Sequence, residues 1–168
     1  SIDNPLADAF LKAGAEAGYP ATDDISGYRQ EGFGLFDRTT FRGERWSTAR
    51  AYLHPVRKRA NLEVVTRALV ERVSIEDRRA TGVVYRDREG RQITATASRE
   101  VILSAGAVGS PHILMLSGIG PRQELQDKGI EVVADLPGVG ANLSDHPDFV
   151  LKYRCLQPVS LWPKTRPL

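Results

Sequence analysis

The run Val101-Ile102-Leu103 is a short apolar block, the mark of a strand buried on both faces. Small residues follow at once: Ser104, Ala105, Gly106 and Ala107. They let a backbone turn sharply and let a ligand come close to it. Pro111 suits a first helical position, with Ser110 as its cap. The apolar residues Ile113, Leu114, Met115 and Leu116 lie all round that helix, so it should be buried, and Ser117-Gly118-Ile119-Gly120 stops it. Strand, small-residue turn and helix set helix N-terminal amides over the carboxyl end of a strand, where anionic groups such as diphosphate bind. The same pattern also suits an ordinary βα unit of a core.

Other elements follow the same logic. Leu6, Phe10, Ala13 and Ala17 recur at helical spacing behind Asn4-Pro5, which predicts an amphipathic helix over residues 5–17 stopped by Gly18. Residues 19–27 are polar loop. Gly32-Phe33-Gly34-Leu35-Phe36-Asp37 predicts an extended segment where other backbone approaches closely, and Ser47 can cap a short helix through Leu53. From Leu62 to Ala97, β-branched residues alternate between turns at Asp77-Arg78-Arg79 and Arg88-Glu89-Gly90-Arg91, which predicts an antiparallel meander of three strands. Pro121 opens a helix that Gly129 ends. Residues 130–134 and 149–153 read as short strands.

Composition sets few limits. The chain has 168 residues, enough for one domain with a real core. A net charge of +2 demands no nucleic-acid partner. The single cysteine, Cys155, cannot form an internal disulfide and fits a reducing compartment. No apolar run is long enough to span a bilayer, so a cytoplasmic location is expected, with peripheral membrane contact left open. The chain opens on Ser1 and its only methionine is Met115, so a piece of a larger protein is the expectation.

Candidate chemistry is sparse. The histidines His54, His112 and His146 lack zinc-ligand spacing with one another or with Cys155, so no metal site is expected. His112, inside the apolar helix, reads as a core histidine, and His54 as a surface one. Gly118-Ile119-Gly120 ends a helix instead of opening one and lacks the third glycine of a dinucleotide fingerprint. No Gly-x-Ser-x-Gly elbow supports a hydrolase. Asp145-His146-Pro147-Asp148 sets two carboxylates around an imidazole. Asp145 reads as a turn cap. Asp148, on a pocket wall, can hold a quaternary ammonium by Coulomb attraction, helped by an aromatic such as Phe149.

The stretch from Gly106 to Gly120, with its Ser-Pro pair, paired aliphatics and closing Ser-Gly-Ile-Gly, resembles the second signature of the glucose–methanol–choline (GMC) family of flavin oxidoreductases. Further landmarks of that family are similar to Tyr19-Pro20-Ala21-Thr22-Asp23-Asp24, Gln30-Glu31-Gly32-Phe33-Gly34, Ser47-Thr48-Ala49-Arg50, Asn61-Leu62, Leu136-Pro137-Gly138-Val139-Gly140 and Asp145-His146. They follow in family order. The tail from Cys155 to Pro163 most resembles the choline-oxidising members.

The resemblance implies an α/β fold: part of an FAD-binding doubly wound domain with an antiparallel β-meander, plus part of a substrate-binding domain. Residues 1–60 would begin the substrate domain or its connection, 61–145 would belong to the FAD-binding domain, and 146–168 would re-enter the substrate domain. It implies FAD as cofactor, with backbone at Val70 on the adenine and Ser104-Ala105-Gly106 beside the adenosine diphosphate. It implies oxidation of choline or a similar primary alcohol with an external electron acceptor. A neutral-alcohol dehydrogenase and a non-catalytic binding or assembly module are the alternatives. Asp148 falls where choline-oxidising members carry a Glu facing the trimethylammonium, and Asp is one methylene shorter. The family's catalytic histidine and its partner belong near the C-terminus, and no residue here matches them, so this piece alone is expected to be inactive.

Overall fold

A computed structural model describes residues 4–147, 149, 150, 152, 154–157 and 159. They divide into two units, one of residues up to 62 with those from 149 onward, the other from 63 to 148.

In the first unit, helix α1 (Pro5–Glu16) opens as its sequence directs: Pro5 at the first turn, and Asn4 Oδ1 accepting the Leu6 amide at 2.8 Å. Its covered stripe is Ala7, Leu11 and Gly14, not the predicted Leu6, Phe10, Ala13 and Ala17. The reason is Phe33. Its ring lies on Gly14, in the space a Cβ would need, and is flanked by Phe10 and Tyr19 at centroid distances of 5.0 and 5.4 Å. Residues 20–22 and 33 run side by side, joined by Phe33 N to Pro20 O and Thr22 N to Phe33 O, both 2.9 Å. Strands β1 (Thr40–Phe41) and β2 (Glu44–Arg45) form a small hairpin. A π-helical turn at Ala49–Leu53 and the short helix α2 (His54–Val56) follow. His54 is exposed.

The second unit is built on the meander. Strands β3 (Leu69–Glu76), β4 (Arg79–Arg86) and β5 (Gln92–Thr96) pair antiparallel in that order. The β3–β4 turn is Asp77-Arg78, both with positive φ (47° and 64°), the mirror-image turn that matches strand twist. The register of β3 shifts twice, between Val70 and Arg72 and between Ser74 and Ile75. Helix α3 (Gly106–Leu116) packs on β3. Then come β6 (Ile119–Gly120), helix α4 (Arg122–Asp127) and β7 (Ala134–Asp135), with β6 and β7 parallel. Among the described residues the buried apolar side chains are Val73, Val84 and Leu125. Among the described residues no helix is long and apolar enough to cross a membrane.

Several expectations are corrected here. Residues 101–103 form no ladder among the described residues, and Ile102 is 75% exposed. A strand buried on both faces needs a neighbour on each side, and no described segment supplies one. Helix α3 starts at Gly106, five residues before Pro111, which lies inside the helix. Ser110 is therefore no cap; its Oγ turns back to accept the Ala105 amide at 3.0 Å. No residue of α3 is fully buried and Val108 is 70% exposed, because β3 covers one side only. His112 lies on the uncovered side and is exposed, not a core histidine. The strand predicted at 130–134 is shorter and later, at β7. Of the strand expected at 149–153, residues 149, 150 and 152 are described and lie in no strand; residues 151 and 153, like Asp148, lie outside the described residues.

Candidate nucleotide site

Ser104-Ala105-Gly106 forms the entry to α3. Gly106 has φ +85°, a conformation that costs an L side chain about 1–2 kcal/mol, so glycine is what lets the chain swing into the helix there. A Cβ built on Gly106 would meet nothing within 4 Å, so the bend is not plugged by neighbouring side chains. Ser104, Ala105 and Gly106 are all exposed. The first-turn amides of an 11-residue helix have no partner within the helix and carry the positive end of its dipole. Ala105 contributes no side-chain cap. This is a surface that welcomes an anion and leaves room for it.

Beside the turn lies a cavity of about 630 Å³, walled on one side by Ala107, Ser110, Pro111 and His112 of α3 and on the other by the loop 138–144. At the start of that loop Val139 N donates to Leu136 O at 3.1 Å, and Gly140 approaches the Met115 sulfur. Asp145 Oδ1 accepts the next amide, His146 N, at 2.8 Å, the local turn contact its sequence suggests.

Val70 is half-buried on β3, paired with Tyr85 at the first register shift. The structure thus sets Val70 and the Ser104-Ala105-Gly106 turn on two elements that pack together.

What joins those elements is a residue whose sequence context suggested only a helix stop. Ser117 is 8% exposed. Its Oγ donates to Ile113 O at 2.6 Å and accepts the Val73 amide at 2.8 Å. Next to it, Gly118 (φ +80°) lies so close to residues 131–133 that an added Cβ would run into Glu131 O. Gly118 O accepts Val133 N and Ala134 N at 2.8 and 3.1 Å. The Ser-Gly-Ile-Gly tail is therefore the junction of meander, α3 and β7. The available signal was a hydroxyl directly after an apolar helix.

On the meander's exposed face Glu71 accepts from Arg86 Nε and Nη2 (2.9 and 2.6 Å) and from Gln92 Nε2 (2.7 Å). The Gln92 hydrogen bond first, then Arg86, holds its carboxyl below the ordinary range, though burial opposes them.

Comparison with known proteins fits this geometry. The family model described as GMC oxidoreductase matches residues 2–148. The oxygen-dependent choline dehydrogenase of Paraburkholderia phymatum is 55% identical over 161 residues, which is 95% of this chain and 28% of that enzyme. A crystal structure of pyridoxine 4-oxidase from Mesorbium loti superposes with TM-score 0.68 and 33% identity over 80% of this chain and 26% of that one. A substituted formate oxidase of Aspergillus oryzae RIB40, solved for its FAD modification, gives TM-score 0.70 and 32% identity over 80% of this chain and 23% of that one. The chain thus spans little more than a quarter of the length of its curated relatives. With the family model covering most of its residues, the chain belongs to the GMC oxidoreductase family.

Proposed function

We propose that this chain is a segment of an FAD-dependent enzyme that oxidises choline, or a similar primary alcohol, and passes the electrons to an external acceptor. The observation that carries the reading is the open, left-handed Gly106 turn at the head of α3, inside the stretch that matches the family. The turn fits the cofactor on its own evidence: first-turn helix amides for a diphosphate, and nothing within 4 Å of where a Gly106 Cβ would stand. Ser104, Ala105 and Gly106 would hold the diphosphate, and backbone at Val70 the adenine. Residues 61–145 would belong to the FAD-binding domain, with 1–60 and 146–168 on the substrate side.

When bound, FAD supplies the two-electron acceptor for the alcohol carbon. This chain's own part is to bind and orient. Asp148 would offer a carboxylate to the trimethylammonium group of choline and so fix the hydroxyl end towards the reacting centre. Choline is favoured by the 55% identity to an oxygen-dependent choline dehydrogenase, whose name also makes dioxygen the acceptor to try first. A cytoplasmic enzyme, with or without peripheral membrane contact, suits this reading.

The test uses the full-length enzyme that contains this segment. The expected result is a flavin absorbance spectrum and turnover of choline well above that of a neutral alcohol of the same size. Asp148→Ala should raise the KM for choline by about tenfold and leave the neutral alcohol unaffected. A colourless full-length protein would overturn the cofactor. Equal turnover of both alcohols would transfer the reading to a neutral-alcohol dehydrogenase, with Asp148 an ordinary polar wall residue.

A further inference from the structure

We infer that Ser117 is a positioning residue for the cofactor: its hydroxyl sets the adenine-side backbone of β3 in register with the diphosphate-side turn of α3. The inference rests on the FAD reading above and goes beyond it, because Ser117 lies in neither contact region.

The geometry is that of a pin between two arms. One arm is β3 from Val73 back to Val70, three residues or about 10 Å of strand. The other is α3 from Ile113 back to Gly106, seven residues or about 10 Å of helix. The two meet at Ser117 Oγ, which donates to Ile113 O at 2.6 Å and accepts from Val73 N at 2.8 Å. Both bonds are shielded, since Ser117 and Val73 are 8% and 6% exposed. A buried amide needs a partner, and Val73, on the outer strand of the meander, finds it in this hydroxyl.

The place of the pin on β3 is what ties it to ligand geometry. Val73 lies between the two register shifts, Val70/Arg72 and Ser74/Ile75. Such irregularities re-aim the backbone beside them and leave the ladder locally weak. Pairing with β4 alone therefore holds this stretch less firmly than a regular ladder would. The Ser117 bond supplies the missing constraint three residues from Val70. A ligand spanning both arms gains affinity from their fixed spacing. A ligand touching one arm does not.

That difference is the test, made on the full-length apoenzyme with Ser117→Ala and Ser117→Thr. FAD and ADP, which span both arms, should each bind Ser117→Ala about tenfold more weakly, because the substitution removes both Oγ bonds and with them the link between the arms. Inorganic pyrophosphate, which needs the α3 turn alone, should compete as well as before. Ser117→Thr keeps the hydroxyl and should restore FAD binding. A merely structural serine would weaken all three ligands alike, or none of them at temperatures where the apoenzyme is folded, and either result overturns the pin. If Ser117→Ala does not fold, Ser117→Cys carries the same comparison with a weaker acceptor of similar size. Failure of the unsubstituted enzyme to bind FAD overturns the cofactor reading itself, whereas equal FAD affinity of the unsubstituted and Ala forms overturns the pin alone.

Discussion

Gly106 and Gly118 make a matched pair. Their φ values are +85° and +80°, so alanine at either costs the same backbone strain, about 1–2 kcal/mol. Their surroundings differ. Around Gly106 an added Cβ meets nothing within 4 Å. At Gly118 it would overlap Glu131 O and come within 2.9 Å of Val133 Cγ2 and 3.2 Å of Val133 N. The first and last of these are backbone atoms, so the 131–133 segment must move. That adds about 1–3 kcal/mol of overpacking. The same movement stretches the hydrogen bonds from Val133 and Ala134 to Gly118 O. Gly118→Ala should therefore destabilise by about 2–5 kcal/mol and Gly106→Ala by about 1–2 kcal/mol. Urea unfolding of the apo full-length enzyme reads the difference as a larger drop in midpoint for Gly118→Ala. Equal drops would refute the reasoning, because they would mean that the Gly106 bend is as tightly enclosed as the Gly118 junction.

Two further outcomes follow from the same packing. The folded-state pKa of Glu71 is lowered, so its carboxylate contributes stability above its unfolded pKa near 4.5 and loses it as pH falls through the lower folded value. The stability gap between the unsubstituted protein and Glu71→Gln should accordingly be constant at neutral pH and close in acid; a gap that widens below pH 4.5 would reverse the assigned sign. Leu125, the buried residue of α4 and 1% exposed, should cost about 2–5 kcal/mol as Leu125→Ala in the same unfolding assay, and a loss under about 1 kcal/mol would mean that the site collapses freely.

The elements most legible in the sequence are those whose contacts are local. The meander is the clearest: its alternation, Asp77-Arg78 and Gly90 specify both hairpins within about 30 residues. Asn4-Pro5 likewise fixes the start of α1. Residues 101–103 read as a central strand because their side chains suit one, but a ladder requires partners that no described segment provides. Pro111 misled for a related reason. Ser-Pro is a strong local start signal, yet the left-handed Gly106 launches α3 five residues earlier and the helix tolerates one missing amide hydrogen bond. The Gly106 turn was legible from residue size alone. Ser117 was not, since its role depends on Val73, 44 residues away in sequence.

Hydrogen exchange at the first-turn amides of residues 106–108, in the full-length enzyme with and without FAD, tests the nucleotide assignment most directly. Slower exchange there on FAD addition is the expected result, because a diphosphate on the α3 turn occupies those donors. Unchanged exchange at 106–108 in an enzyme that visibly holds its flavin would contradict it.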